Sequence, residues 1–288
     1  MKKIFQKINR RLSLARYWLK NNLALEIINN RLPISMAMII KTCLVIPCQL
    51  KAKFKIKKIK SLPNYLVVYF NNFSNPIYYP RNLSKKGLYQ VIVESFDSNA
   101  WHYYEIDQTK VKSNDVVVDC GAAEGLFSIL VANRCKQVYA IEPLPEFVKA
   151  LKLTFEKFDN VKIMPMGLGS KEESGYITKE DINSAINFSG KGEKINITTI
   201  DKLFYDKNIP VNYIKADLEG FELEMLKGAQ QTVKKYLPKF AITTYHHHSH
   251  ALWIYNYLKQ INPNYNIIFK GIEERAGMPV MIHAWIDE

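Results

Sequence analysis

Two carboxylates and two glycines mark where this chain could do chemistry. Asp119 closes the apolar run Val116-Val117-Val118, Gly121 and Gly125 follow it, and Glu142 closes a second run, Val138-Tyr139-Ala140-Ile141. A buried strand that ends in an acid, turns on glycines and enters a helix puts its turn at the carboxyl end of a parallel sheet. That is where open α/β folds bind ligands. Glycines let the backbone turn sharply and approach a ligand, and the N–H groups of the following helix suit a carboxylate or phosphate. Asp119 stands before the first glycine, where it opposes the phosphates of a dinucleotide and attracts an ammonium. Glu142, about twenty residues on, is placed to accept both hydroxyls of a ribose. An ammonium beside a ribose points to S-adenosylmethionine. The candidate cofactor-binding residues are Asp119, Gly121, Ala122, Glu124 and Gly125 at the first junction, with Glu142 and Pro143 at the second. The third glycine of the dinucleotide spacing is missing, which disfavours an NAD-dependent oxidoreductase.

A second constellation lies in Ile214-Lys215-Ala216-Asp217-Leu218-Glu219-Gly220-Phe221-Glu222. Asp217 and Glu219 leave a strand that neighbours the first one, at the same sheet end as Asp119. They either face a substrate or cap the next helix, and Glu222 can complement that helix's dipole. His246-His247-His248-Ser249-His250 follows the next strand directly, and His246, closest to the strand, is expected to point into the cleft. For a hydroxyl acceptor Asp217 is the first candidate general base and His246 the second. The histidines could also hold a metal with Asp217 or Glu219, but imidazole is softer than magnesium prefers, and no metal is assigned.

These residues need a scaffold, and the pattern from Val116 onward supplies one. Strands are expected at Val116–Asp119, Val138–Glu142, Val161–Leu168, Tyr213–Asp217 and Phe240–Tyr245. Tyr265–Phe269 and Pro279–Ile286 follow as an antiparallel pair. Helices are expected at Gly125–Asn133, Leu144–Phe158, Phe221–Tyr236 and Ala251–Ile261, and the excursion from Lys171 to Ile200 has hairpin character. Regular alternation of this kind predicts an α/β fold, a Rossmann-like doubly wound, mostly parallel seven-stranded sheet covered on both faces. Three regions follow: a basic amphipathic extension over 1–60, a small capping region over 61–107, and the main domain over 108–288. Within them, Lys51–Lys57 alternates with period two and predicts an edge strand, and Val91–Phe96 a short helix.

Charge separates these regions. Residues 1–60 carry fifteen Lys or Arg against the single acid Glu26, leaving 25 basic and 26 acidic residues beyond. The main domain is therefore nearly neutral, which argues against nucleic acid as a partner; so does the lack of an Asn/Asp-Pro-Pro-Tyr/Phe motif. Residues 1–30 place Ile4, Ile8, Leu12, Ala15, Leu19 and Leu23 on one face of a basic helix, suited to an anionic membrane surface or to packing on the main domain. Lys41, Pro33 and Pro47 interrupt the apolar stretch over 32–50, so no spanning helix is expected there. Nor is there a signal peptide's compact apolar core and cleavage site. Four cysteines without metal or disulfide spacing fit a reducing compartment. The expected location is the cytoplasm, with peripheral contact at the inner membrane face.

Val-Val-Val-Asp-Cys-Gly-Ala-Ala-Glu-Gly, the following Ala-Ile-Glu-Pro, Thr198-Thr199-Ile200-Asp201-Lys202-Leu203 and the Asp217-Leu218-Glu219-Gly220-Phe221-Glu222 stretch together resemble the FkbM-type methyltransferase family. The resemblance covers roughly residues 100–250. It implies a class I, S-adenosylmethionine-dependent enzyme that methylates a hydroxyl on a sugar or natural product. Ala123 departs from it, since the family often has Asn there. Two further readings stand beside it, a nucleic-acid methyltransferase and a non-catalytic cofactor-binding module recruited through the basic N-terminus.

Overall fold

The computed structural model describes residues 48–180, 183–273 and 278–287, with Asn9 besides. The helix expected over 1–30 and most of the stretch over 32–50 lie outside the described residues. Among the described residues, no helix is long and apolar enough to cross a membrane.

Helix α1 (Cys48–Lys55) leads into an antiparallel sheet of β1 (Ile56–Ser61), β2 (Tyr65–Phe70) and β3 (Ile77–Pro80). The strand expected over Lys51–Lys57 is thus helical until Lys55. Tertiary contact decides it: Ala52 is fully buried, and Lys51 Nζ reaches Asp97 Oδ2 at 2.6 Å, at the end of helix α2 (Lys85–Phe96). Strand β1 runs across the boundary drawn at residue 60. Helix α2 starts earlier than expected because Ser84 caps it, accepting from the Gly87 N–H at 3.0 Å.

From β4 (Val116–Cys120) strands and helices alternate through α3 (Leu126–Ala132), β5 (Gln137–Ile141), α4 (Pro145–Thr154) and β6 (Val161–Met164). The single strand expected over Val161–Leu168 breaks at Pro165, which has no N–H to donate. Beyond it β7 (Gly167–Leu168) leaves the main sheet and pairs in a second one with β8 (Glu173–Glu180), β9 (Asn183–Asn187) and β10 (Glu193–Thr198), ordered β7-β10-β8-β9. The chain then returns through β11 (Tyr213–Ala216), α5 (Glu222–Lys227), α6 (Gln230–Tyr236), β12 (Lys239–Thr243), α7 (His250–Ile261), β13 (Asn266–Ile272) and β14 (Pro279–Trp285). The one helix expected over Phe221–Tyr236 is two, divided at Gly228, where a Cβ would stand 2.1 Å from Gly169 O.

The main sheet is ordered β13-β14-β12-β11-β4-β5-β6, with β14 antiparallel to both neighbours. It is the Rossmann-like doubly wound sheet that the alternation predicts. Strands β4, β5 and β6 build outward on one side, β11 and β12 on the other, so the order reverses between β4 and β11 and opens a crevice at their carboxyl ends. Val116, Val118 and Cys120 of β4 pack on one core layer, and Val117 on the opposite one.

Candidate active site

At the reversal, Asp119 of β4 lies in register with Lys215 of β11. Neighbouring residues in register share a face of the sheet, and their ion pair measures 3.0 Å. Asp119 is fully buried, and its other oxygen accepts from Ser128 Oγ of α3 at 2.7 Å. It lies beneath the cleft rather than in its lining, and its charge is matched by Lys215. Lys215 Nζ also donates to Gly121 O at 2.5 Å and sits 5.0 Å from the centre of the Tyr104 ring. Burial opposes its charge, but Asp119 and Asp217 outweigh burial and hold its pKa above the ordinary lysine value. No motif singles out Lys215. A lysine flanked by apolar residues in a parallel strand is the signal that marks it.

Packing requires glycine at Gly121 (φ +77°) and Gly125 (φ +80°). A Cβ would stand 2.1 Å from Asp217 O at Gly121 and 2.6 Å from Leu151 Cδ2 at Gly125. Gly125 is not in the lining of the cleft, whereas Gly121, Ala122, Glu124, Glu142 and Pro143 are. The Gly121 and Ala122 amides both donate to Ile141 O at 3.0 Å, so they are not open to a ligand's carboxylate. Ala123, at φ 45°, donates its N–H to Glu142 Oε2 at 2.9 Å, and Leu144 donates to Oε1 at 2.8 Å. Glu142 is thus braced by two backbone amides, and each oxygen keeps a lone pair. Burial pushes its pKa up to about 7 despite those amides. Burial likewise pushes Glu124 up to about 7.

Asp217, Glu219 and His246 are brought together. His246 Nε2 stands 3.2 Å from Glu219 Oε2 and 3.8 Å from Asp217 Oδ1, while Nδ1 lies 2.9 Å from Glu222 Oε1. Asp217 and Glu219 line the cleft, but His246 stands behind them and Tyr245 takes the cleft-facing place. Burial works against a charge on His246, yet Glu219, Glu222 and Asp217 push its pKa up to about 11. His246 therefore serves as a base, or as a ligand, only once its Nε2 proton has left. Glu222, expected only to complement a helix dipole, is instead the hub: it is fully buried, accepts the Leu218 N–H at 2.9 Å, and lies 3.3 Å from His250 Nδ1. Burial opposes its ionisation, but His246 and His250 hold its carboxyl well below the usual range. His247 and His248 are exposed, so the four histidines do not act as one cluster.

The capping region adds residues that the sequence reading left unassigned. Tyr104 OH donates to Asp217 Oδ2 at 2.9 Å. Burial, then the Asp217 charge, lifts the phenol's pKa well above its ordinary value, so it stays a donor. Helix α2 lays Gln90 and Glu94 along the cleft, and His102 Nδ1 lies 2.8 Å from Glu94 Oε1. The run Trp101-His102-Tyr103-Tyr104 carries their only signal in sequence, aromatic and polar tips together just before the core.

The model of the Methyltransferase FkbM domain matches residues 119–262, half of the 288. The hexuronic acid methyltransferase AglP of Haloferax volcanii is 30% identical over 125 residues, 41% of this chain and 52% of that protein. A probable cobalt-precorrin-6B C(15)-methyltransferase (decarboxylating) of Methanocaldococcus jannaschii is 32% identical over 97 residues, 34% of this chain and 51% of that one. The chain thus spans about half the length of the curated relatives it matches. Among solved structures, methyltransferase FkbM from Methylobacillus flagellatus KT is 21% identical with a TM-score of 0.49, covering 72% of this chain and 56% of that one. The matched half carries Asp119, Glu142, Asp217, Glu219 and His246, and on it the chain belongs to the family of FkbM methyltransferase domains.

Proposed function

We propose that the protein is an S-adenosylmethionine-dependent O-methyltransferase acting on a hydroxyl of a sugar, glycan or related metabolite. One observation carries the reading: a single cleft holds both Glu142, braced by two amides, and Asp217, held by Tyr104 at 2.9 Å. The residues present fit the cofactor. Glu142 suits the ribose hydroxyls, apolar Phe147, Leu168 and Ile177 suit a purine face, and the Glu124 carboxylate suits an ammonium. S-adenosylmethionine supplies a methyl already activated on a sulfonium. The chain's own residues then hold the acceptor oxygen in place, which positioning alone can reward greatly. Asp217 takes the hydroxyl proton, a contribution of about 10²–10⁴-fold. Tyr104 keeps the Asp217 carboxylate oriented, Glu219 offers the acceptor a second carboxylate, and His246 holds both acids from behind. The sugar class is taken from the hexuronic acid in the name of the Haloferax relative. The excess of Lys and Arg over residues 1–60 supports work at an anionic membrane surface, at the cytoplasmic face.

Calorimetric titration with S-adenosylhomocysteine tests the cofactor half. Binding by the wild type, abolished by Glu142→Ala, is expected; a folded wild type that binds neither it nor S-adenosylmethionine overturns the reading. For the acceptor half, methyl transfer to hexuronic-acid glycosides should fall about 10²–10⁴-fold in Asp217→Asn, with S-adenosylhomocysteine still bound.

A further inference from the structure

We propose that Asp217, Glu219 and His246 form a binding site for a first-row divalent metal ion of the Mn²⁺ type at the floor of the cleft. The ion's use rests on the methyltransferase reading, but the site itself does not. Each residue offers one ligand atom, and the three atoms lie within 4.8 Å of one another. His246 Nε2 is 3.2 Å from Glu219 Oε2 and 3.8 Å from Asp217 Oδ1. Ligands held about 2.0–2.2 Å from a shared ion stand roughly 3.0–3.6 Å apart, so the donors are already spaced close to a coordination shell. Nε2 is buried and makes no hydrogen bond among the described residues, on a side chain only 9% exposed. It faces the two carboxylates.

The other ring nitrogen supplies the second argument. His246 Nδ1 lies 2.9 Å from Glu222 Oε1. A carboxylate on one nitrogen fixes the tautomer and turns the other toward an ion, the usual support of a metal-ligating histidine. Glu222 is itself anchored by the Leu218 N–H at 2.9 Å and by His250 at 3.3 Å, so the relay is set before any ion arrives. Two carboxylates with one imidazole suit Mn²⁺, Fe²⁺ or Zn²⁺ better than Mg²⁺ or Ca²⁺, whose ligands are oxygens. Asp217 and Glu219 line the cleft, which leaves one side open to a water or an acceptor hydroxyl. With an ion in place Asp217 serves as a ligand, and the proton of a coordinated hydroxyl passes to solvent more readily.

The competing site is the exposed pair His247 and His248, whose rings stack at 4.3 Å. The test is Mn²⁺ titration of the chelator-treated full chain, read by loss of the free-ion electron paramagnetic resonance signal, with S-adenosylhomocysteine binding measured in parallel. The expected result is one Mn²⁺ per chain, retained when His247 and His248 are both changed to Ala. Binding should be lost in Asp217→Asn and in His246→Gln, and weakened about 10–100-fold in Glu222→Gln. Unchanged near-ultraviolet circular dichroism shows that the variants fold. Absence of stoichiometric Mn²⁺ binding by a wild type that binds S-adenosylhomocysteine overturns the metal site alone. So does binding that follows His247 and His248. Mn²⁺ held at Asp217 and His246 by a chain that ignores S-adenosylhomocysteine upholds the metal site and overturns the cofactor reading.

Discussion

Lys215 and Asp119 are two charges taken wholly out of water, and neither stays there without the other. Removing one partner of such a pair strands the other, at a cost of about 3–5 kcal/mol. Lys215→Met should therefore lower unfolding stability by about that much in urea titrations, and adding Asp119→Asn should restore part of it. A loss below about 1 kcal/mol in the single variant would mean that the pair does not hold the β4 turn against β11. Glu142 makes a prediction of a different sign. Its pKa of about 7 lies above the ordinary value, so the folded chain holds a proton that the unfolded chain has released. Stability of the ligand-free protein should fall as pH rises from about 5 through about 7. The ionised carboxylate is the form that accepts ribose hydroxyls, so S-adenosylhomocysteine should bind about tenfold more tightly at pH 8 than at pH 6. Glu142→Gln should make that profile shallower, leaving the part that belongs to Glu124, whose pKa is also about 7. A wild-type profile that is itself flat would remove Glu142 from the cofactor contacts.

At the scale of elements, the site depends on how closely the β4 turn crosses the end of β11. Gly121 lets Asp217 O pass where a Cβ would stand 2.1 Å away, and Gly190 offers a matched control, with φ +80° and nothing within 4 Å. Gly190→Ala should cost only the left-handed backbone penalty, about 1–2 kcal/mol. Gly121→Ala must also push the turn off β11, so its melting temperature and its methyl-transfer rate should both fall further. Equal losses in the two variants would show that the crossing is not tight. The glycines and the strands around them are readable from sequence because a parallel strand buried on both faces is an unbroken apolar run. Glu142 is readable for the same reason: it ends such a run. Other features depend on contacts between segments far apart in the chain. The pairing of Asp119 with Lys215 appears only once the register of β4 and β11 is known. His246 looks cleft-facing until Glu222 is seen to hold it from behind. The Lys51–Lys57 alternation reads as a strand because nothing in it reveals that Ala52 packs inward and Lys51 pairs with Asp97.

The molecule as a whole separates its charge from its chemistry. The cleft is rich in carboxylates, while Lys53, Lys55, Lys57, Lys58 and Lys60 stand exposed on α1 and β1. Beside them Leu50 and Phe54 of α1 are 50% and 73% exposed. The proposed attachment to an anionic surface would use these exposed apolar side chains among lysines, the apolar tips entering the headgroup region while the ammonium groups meet anionic lipid. Helix α1 packs against α2, and α2 lines the cleft, so on that proposal a membrane held at α1 would also fix how the cleft is presented to acceptors. The full chain should co-sediment with phosphatidylglycerol vesicles and not with phosphatidylcholine vesicles. Binding should weaken steeply above about 0.15 M salt, where the screening length falls below about 8 Å. Phe54→Ser should reduce the bound fraction at every salt concentration, because it removes the apolar part of the attachment and leaves the charge. Binding that responds to salt but not to Phe54→Ser would assign the attachment to charge alone, and equal sedimentation with both lipids would remove the anionic surface from the proposed function.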